Sequence, residues 1–337
     1  MKDLKPIYHC LRRLFFGNLN RIQIKHRVSV IIPVYNREAH LKDTLNSIKA
    51  QTYRNWECLL VDDHSTDKSV NILKEFEEED SRFKVLIRPD NRPKGANACR
   101  NFGFEHAKGK LVNWFDSDDL MEPDFIQKKL SAFDAKTDIV LSKTKIYYVK
   151  DQTEVFEQRT HLTSNLLEDF ITRKISWYLP DPMYAKSFLD KHNLVFDEQL
   201  LGGQDRDFFQ RVLLNNPEML VINDYLTTYL KHSASISEKI YKQGNFKITQ
   251  SRVRALISFI KMLRSEGRLS PSLRRFYTAE LRNMIPLVHK DSKTTKSILK
   301  ALLKLGSLNF ETLKNWSKVS LGLSSLMVTG KGQKLFK

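Results

Sequence analysis

Four short apolar runs alternate with amphipathic stretches over the first third of the chain. Val28 to Pro33 is β-branched and almost wholly apolar, the pattern of a strand buried on both faces. Asn36 is expected to open a helix that carries Leu41, Leu45 and Ile48 on one face. Trp56 to Val61 reads as a second strand, ended by Asp62, Asp63, His64 and Ser65. Ser65 or Thr66 is expected to cap a helix with Val70, Leu73 and Phe76 inward. A third strand falls at Val85 to Ile87, a helix at Asn97 to Ala107, and a fourth strand at Leu111 to Phe115. This alternation implies an α/β fold with a doubly wound, mainly parallel sheet flanked by helices. Such sheets bind ligands beyond the carboxyl ends of their strands. The polar clusters at Pro33, Tyr35 and Asn36, at Asp62 and Asp63, and at Asp116 to Asp119 all stand at such ends.

The pattern is looser further on. Residues 138–149 contain a strand-like segment, and 150–176 reads as loop and helix. Asp205 to Leu214 reads as a helix, and Met219 to Ile222 and Leu226 to Leu230 as two late strands. From about residue 245 the chain is helical and basic.

Charge divides the chain the same way. Of the net +17, residues 1–27 hold seven basic and one acidic residue and residues 245–337 hold nineteen and four, leaving 28–244 with 30 basic and 34 acidic. A mildly acidic middle between basic ends is not the footprint of a groove-binding nucleic-acid domain, so no nucleic-acid partner is expected. The division marks a basic amphipathic segment at 1–27, a catalytic domain at 28–240 and a basic helical extension at 241–337. Cys10, Cys58 and Cys99 form neither a disulfide framework nor a metal spacing, which fits a reducing compartment. No secretory h-region follows Met1, and no apolar run is long enough to cross a bilayer, so a cytoplasmic site is expected.

The most informative chemistry is at Trp114 to Asp119, where an apolar run ends in three carboxylates within four residues. Crowded carboxylates repel unless a cation or donors compensate, and a hard divalent ion such as Mn²⁺ or Mg²⁺ does so while leaving positions open for phosphate. The competing reading is an N-cap for a helix near Pro123. The first strand lacks a following GxGxxG, which argues against a dinucleotide-dependent oxidoreductase. A Gly-rich, Lys/Arg-bearing first loop is also missing, which argues against a nucleotidyltransferase.

Five segments together resemble the family 2 glycosyltransferases of GT-A fold. They are Val28 to Arg37 with Gln51-Thr52-Tyr53 behind it, Val61 to Asp67, Gly95 to Gly103, Asp116 to Asp119 as the DXD element, and Gly203-Gln204-Asp205. The resemblance covers roughly residues 28–240. Gln204 departs from it, standing where a Glu commonly precedes the catalytic Asp. The resemblance implies an inverting, metal-assisted transfer from a nucleotide-sugar donor, UDP-linked by default, to a glycan or lipid-linked acceptor in cell-surface polysaccharide synthesis. It implies Asp205 as general base, with Asp207 a nearby decoy. It implies Pro33, Tyr35, Asn36, Asp63, Lys94, Arg100, Asp116 and Asp118 on the donor, and Asp118, Asp119 and His232 as candidate metal ligands. Which of Asp116, Asp118 and Asp119 touches metal stays open, and Arg100 reads equally as a solvated helix residue. Trp177, Tyr178 and Asp181 are candidates for an acceptor subsite, against plain core packing. An inactive nucleotide-sugar-binding relative and a basic membrane- or nucleic-acid-binding protein are the alternatives.

The basic ends carry helical spacing. Ile7, Cys10, Leu11, Leu14 and Phe15 share one face, as do Val253, Leu256, Ile257, Ile260 and Leu263, and Lys296, Lys300 and Lys304 form a stripe beside Ile298 and Leu302. Basic amphipathic helices favour anionic membrane surfaces, so peripheral contact at the inner face of the membrane is expected. Helices packed on the catalytic domain with a solvated face would show the same pattern.

Overall fold

The computed structural model describes residues 26–158, 161–231 and 246–306. His232 and the helix candidate at Ile7 to Phe15 lie outside the described residues. The first half is β1 (Val28–Val34), α1 (Leu41–Lys49), β2 (Trp56–Asp62), α2 (Ser69–Glu79), β3 (Phe83–Ile87), α3 (Ala96–His106) and β4 (Leu111–Trp114). Its strands run parallel in the order β3-β2-β1-β4. The strand order therefore reverses direction between β1 and β4, which opens a crevice at their carboxyl ends.

The second half is β5 (Leu120–Met121), α4 (Phe125–Ala132), β6 (Ile139–Tyr148), β7 (Thr153–Val155), α5 (Leu166–Ile171), β8 (Pro182–Ala185), α6 (Lys186–Lys191), α7 (Gln204–Leu214) and β9 (Met219–Lys231). The sheet continues β4-β8-β6-β9-β5, with β7 paired to β6. Here the pairing is mixed: β8 is antiparallel to β4 and β6, β9 parallel to β6, and β5 antiparallel to β9. One continuous β9 replaces the two late strands expected, because a register slip against β6 between Leu141 and Thr144 takes up the polar interruption at Asn223 and Asp224.

Two helix starts differ from expectation. Asn36 does not open a helix. It sits at φ +51°, its Oδ1 accepts the Thr66 N–H at 2.8 Å, and α1 begins only at Leu41. Neither Ser65 nor Thr66 caps α2: Ser65 Oγ accepts the Asn36 N–H at 3.0 Å, and Asp67 receives the Ser69 N–H at 2.9 Å. The polar residues after β1 and β2 thus bond to one another and fix the two loops as one rim.

The core lies on both faces of the sheet. Val30 and Ile32 pack with α1, α2 and α4, while Ile31 and Trp114 face a larger cluster. That cluster also holds the basic C-terminal helices α8 (Phe246–Ser265), α9 (Pro271–Val288) and α10 (Ser292–Lys304), through Val253, Tyr277 and Leu302. Among the described residues no helix is long and apolar enough to cross a membrane.

Two motif residues explain how the rim is held. A Cβ on Gly103 would lie 2.5 Å from Ile31 Cγ2, so glycine lets α3 lie flush on β1. Gln51, fully buried, donates to Glu122 O at 2.7 Å and accepts the Ile126 N–H at 3.1 Å, tying the end of α1 to the chain after the acidic cluster.

Candidate active site

An aromatic cluster brings the two ends of the site together. Trp114, the last residue of β4, has the rings of Tyr184, Phe196 and Phe208 5.1–5.4 Å away. Phe208 belongs to α7 and stacks on Phe196 at 4.3 Å. Burying rings of this size contributes about 1.5–3 kcal/mol each. The packing fixes Asp116, two residues past β4, opposite Asp205 in the first turn of α7.

Arg100 of α3 occupies the space between them. It is buried, only 3% exposed. Its Nη2 donates to Asp116 Oδ1 at 3.0 Å, its Nη1 lies 3.3 Å from Asn97 Oδ1, and Nη1 stands 3.8 Å from Asp205 Oδ1. The alternative of a solvated helix residue is therefore wrong for Arg100: Gly103 brings its helix too close to the sheet. The recessed setting of Asp116 pushes its carboxyl up to about 6, against the pull of Arg100. Desolvation also raises Asp205, again opposed by Arg100, and Asp205 Oδ1 has no hydrogen-bond partner.

The rest of the acidic cluster divides. Asp118 faces Arg37, with Oδ2 3.6 Å from its Nε. Asp119 is buried and accepts the Leu230 N–H of β9 at 3.2 Å; burial, and then the charges of Asp116 and Asp118, raise it well above the carboxylate range. Neither caps a helix, since α4 starts at Phe125. Among the described residues no three His, Cys, Asp or Glu side chains form a ready-made metal cage. The donor set nonetheless fits a hard cation: Asp116, Asp118 and Asp205 face the guanidinium groups of Arg100 and Arg37, and Mg²⁺-like ions commonly take one or two carboxylates plus substrate phosphates.

At the end of β2, Asp63 is buried and paired with Arg88 Nε. Arg88 Nη1 donates to the carbonyls of Pro89 at 2.7 Å and Arg92 at 2.8 Å, which fixes the pair. Lys94 Nζ lies 3.8 Å from the centre of the Tyr35 ring, and Tyr35 is 41% exposed at the mouth. Pro33 is half-buried near the end of β1. Asn36 is spent on the Thr66 loop, as above.

Three further sequence candidates are engaged in packing and hydrogen bonds of their own. Trp177 is core: its Nε1–H donates to His161 O at 3.1 Å and its ring packs on Phe170 and Phe209. Asp181 is buried and accepts the Thr144 hydroxyl at 2.6 Å and the Tyr178 N–H at 2.7 Å. Tyr178 stacks on Tyr229 and donates to Glu157. Asp207, the decoy, is held by Arg211 at 2.8 Å. Arg37, Arg88, Asn97 and Asn101 carry contacts that the sequence reading left unassigned. Arg37, Asn97 and Asn101 stood inside recognised motifs, whereas nothing local marked Arg88.

A family model described as Glycosyl transferase family 2 matches residues 29–213. A Bacillus subtilis protein assigned as a glycosyltransferase, EpsH, is 30% identical over 227 residues, 64% of each chain, so the match spans under two thirds of that relative. Among solved structures, residues 1–349 of Staphylococcus aureus TarS with UDP-GlcNAc superpose with a TM-score of 0.60 at 19% identity, over 92% of this chain and 89% of that one. The Pyrobaculum calidifontis mannosyltransferase PcManGT with GDP-Man and Mn²⁺ superposes at 0.53 and 15% identity, over 98% and 91%. At those identities the likeness shows the fold, which is GT-A-like.

Proposed function

The chain belongs to glycosyl transferase family 2, and from that premise we propose that it transfers a sugar from a nucleotide-sugar donor to a hydroxyl of a glycan or lipid-linked acceptor, with inversion, in cell-surface polysaccharide synthesis. The observation that carries this reading is Arg100, which sets Asp116 and Asp205 on one guanidinium. A donor-side and an acceptor-side carboxylate thereby share one cleft.

In this reading Asp205 is the general base. The acceptor oxygen attacks the anomeric carbon, the bond from that carbon to the diphosphate oxygen breaks on the opposite side, and the hydroxyl proton passes to Asp205. A single displacement of this kind inverts the anomeric centre. A base raised above the usual carboxylate range is better matched to neutral pH. Asp63, braced by Arg88, accepts from the nucleobase. Tyr35 and Pro33 line the base and ribose, and Lys94 and Arg100 meet the phosphates. Asp118, with Asp116 or Asp119, would hold a Mn²⁺ or Mg²⁺ ion, which supplies Lewis-acid stabilisation to the departing diphosphate. Asp118 is the first choice because Asp119 is already committed to β9.

The neighbours' ligands support a nucleotide sugar without selecting the nucleotide: UDP-GlcNAc in TarS, GDP-Man with Mn²⁺ in PcManGT. Calorimetric titration of UDP, GDP and dTDP, with and without Mn²⁺, tests the reading. Metal-dependent binding of one nucleotide, lost in Asp118→Ala, is the expected result. No binding of any of them would sink it.

We further propose that 28–240 is the catalytic unit and that the basic C-terminal helices meet an anionic membrane surface from the cytoplasmic side. Supporting this, exposed Lys261 and Arg264 of α8 and Lys300 and Lys304 of α10 rim a groove of about 190 Å³ floored by Ile257, Ile260 and Ala301.

A further inference from the structure

The loop that leads into Asp205 is gripped from two sides. On one side, Asn97 Nδ2 donates to Asp197 O at 2.8 Å and Leu200 O at 3.1 Å. Asn101 exchanges hydrogen bonds with the Phe196 backbone, both at 2.9 Å. These two residues flank Arg100 on α3, so the donor side of the site holds the loop's first half. On the other side, the first turns of α8 hold the second half and also reach back to Asp197. The Leu201 N–H donates to Ser251 Oγ at 3.2 Å, and that hydroxyl donates in turn to Ile248 O at 2.9 Å. Arg254 Nη2 pairs with Asp197 Oδ2 at 2.9 Å. Gly202 lies against Ile248 so closely that a Cβ there would fall 2.9 Å from its Cγ2. Gly203 follows at φ +76° as the residue before α7, a conformation that favours glycine.

We propose that Ser251 and Arg254 are positioning residues for Asp205. This rests on the assignment of Asp205 as base. Two glycines in succession leave the loop with little conformational preference of its own. Its two ends are fixed by α3 and by the Phe208 packing, while Leu201 and Gly202 between them are held against α8 through Ser251 and Ile248. The Ser251 hydroxyl is the better-placed element, because it ties the loop amide to the helix backbone. The Arg254 pair is about half exposed on the arginine side and contributes less by itself. The consequence is that the basic C-terminal helices are part of the catalytic apparatus, since a shift of α8 moves the base and leaves the donor residues in place.

The test compares full-length wild type with Ser251→Ala, Ser251→Thr, Arg254→Met and Gly202→Ala. Hydrogen exchange of peptides spanning 197–207 reads the loop directly. Turnover reads the base: UDP released from UDP-GlcNAc, or GDP from GDP-Man, whichever nucleotide the wild type binds. Ser251→Ala and Gly202→Ala are expected to speed exchange in that segment and to lower kcat on the order of ten- to hundredfold, as sub-ångström to ångström misplacement does. Nucleotide affinity by calorimetry should stay within about twofold, because α3 and β4 are untouched. Ser251→Thr, which keeps the hydroxyl, should restore both readouts, and Arg254→Met should show the smaller effect. Unchanged exchange in Ser251→Ala and Gly202→Ala would overturn the proposal, as would nucleotide affinity falling in step with kcat. Absence of turnover in the wild type would instead count against the functional reading, and hydrogen exchange alone would then decide.

Discussion

The Arg100 guanidinium stands 3.8 Å from the carboxylate of Asp205, a residue 105 positions later in the chain, while donating to Asp116 at 3.0 Å. One buried cation therefore opposes the desolvation that raises both acids. As the proposed base, Asp205 must be deprotonated to take a proton, so activity is expected to fall as pH drops through its folded pKa. Burial raises that pKa and Arg100 lowers it. Removing the cation in Arg100→Gln should therefore move the acid limb of the kcat/KM profile to higher pH. It should also cut kcat/KM by on the order of a hundredfold at neutral pH, since the charged donor proposed to meet the diphosphate is lost. A profile whose acid limb stays in place would show that Arg100 does not act on Asp205.

Asp119 presents the opposite trade. It is buried with its charge disfavoured by desolvation and by Asp116 and Asp118. A carboxyl raised in the folded state makes the protein less stable as pH climbs from the unfolded value, about 3.9, through the folded value. Asn in its place still accepts the Leu230 N–H and carries no charge. Asp119→Asn should thus melt higher than wild type at pH 7 in chelator, with the difference shrinking toward pH 4. Equal melting temperatures at pH 7 would show that Asp119 is already neutral there.

How much of this could be read beforehand depended on range. The β1 to β4 half was legible because each strand is a continuous apolar run that ends in a polar cluster. Asp63 and the Asp116 to Asp119 cluster stood out by their places at strand ends, and Asp205 only through the family resemblance. What escaped were residues whose meaning is a partner far along the chain. Asn36 looked like a helix start but belongs to Thr66. Trp177 and Asp181 read equally as a sugar subsite or as core packing; both are buried, and nothing local marked His161 or Thr144 as their partners. The mixed pairing of β8 was equally hidden, because a four-residue strand carries no mark of its direction.

Gly103 offers a test of how the fold places Arg100. Its α-carbon faces Ile31, and an added methyl would meet Cγ2 at 2.5 Å. Both residues are buried, so the strain is relieved only by moving α3 off β1. Gly103→Ala should cost about 1–3 kcal/mol, the usual range for overpacking, read as a lowered urea midpoint at unchanged slope. Nucleotide binding should weaken with it, because Arg100 lies one turn away on the displaced helix. Full stability in Gly103→Ala would mean that the close contact is relaxed without moving the helix.

The groove between α8 and α10 bears on membrane contact. Its rim is cationic at Lys261, Arg264, Lys300 and Lys304 and its floor is apolar. Each lysine held near an anionic bilayer contributes about 1 kcal/mol. Replacing Lys261, Lys300 and Lys304 together by Gln should then lower partition onto phosphatidylglycerol vesicles by on the order of a hundredfold. Wild-type binding should fall steeply with salt, as the screening length shrinks from about 10 Å at 0.1 M to about 3 Å at 1 M. The same number of Gln substitutions at Lys74, Lys84 and Lys136 on the catalytic domain provides the charge-matched control. Flotation that drops equally in both variants would reflect net charge alone. Flotation that survives only in the control would localise the membrane-facing surface to the groove, one wall of which is α8, the helix whose first turns hold the loop before Asp205.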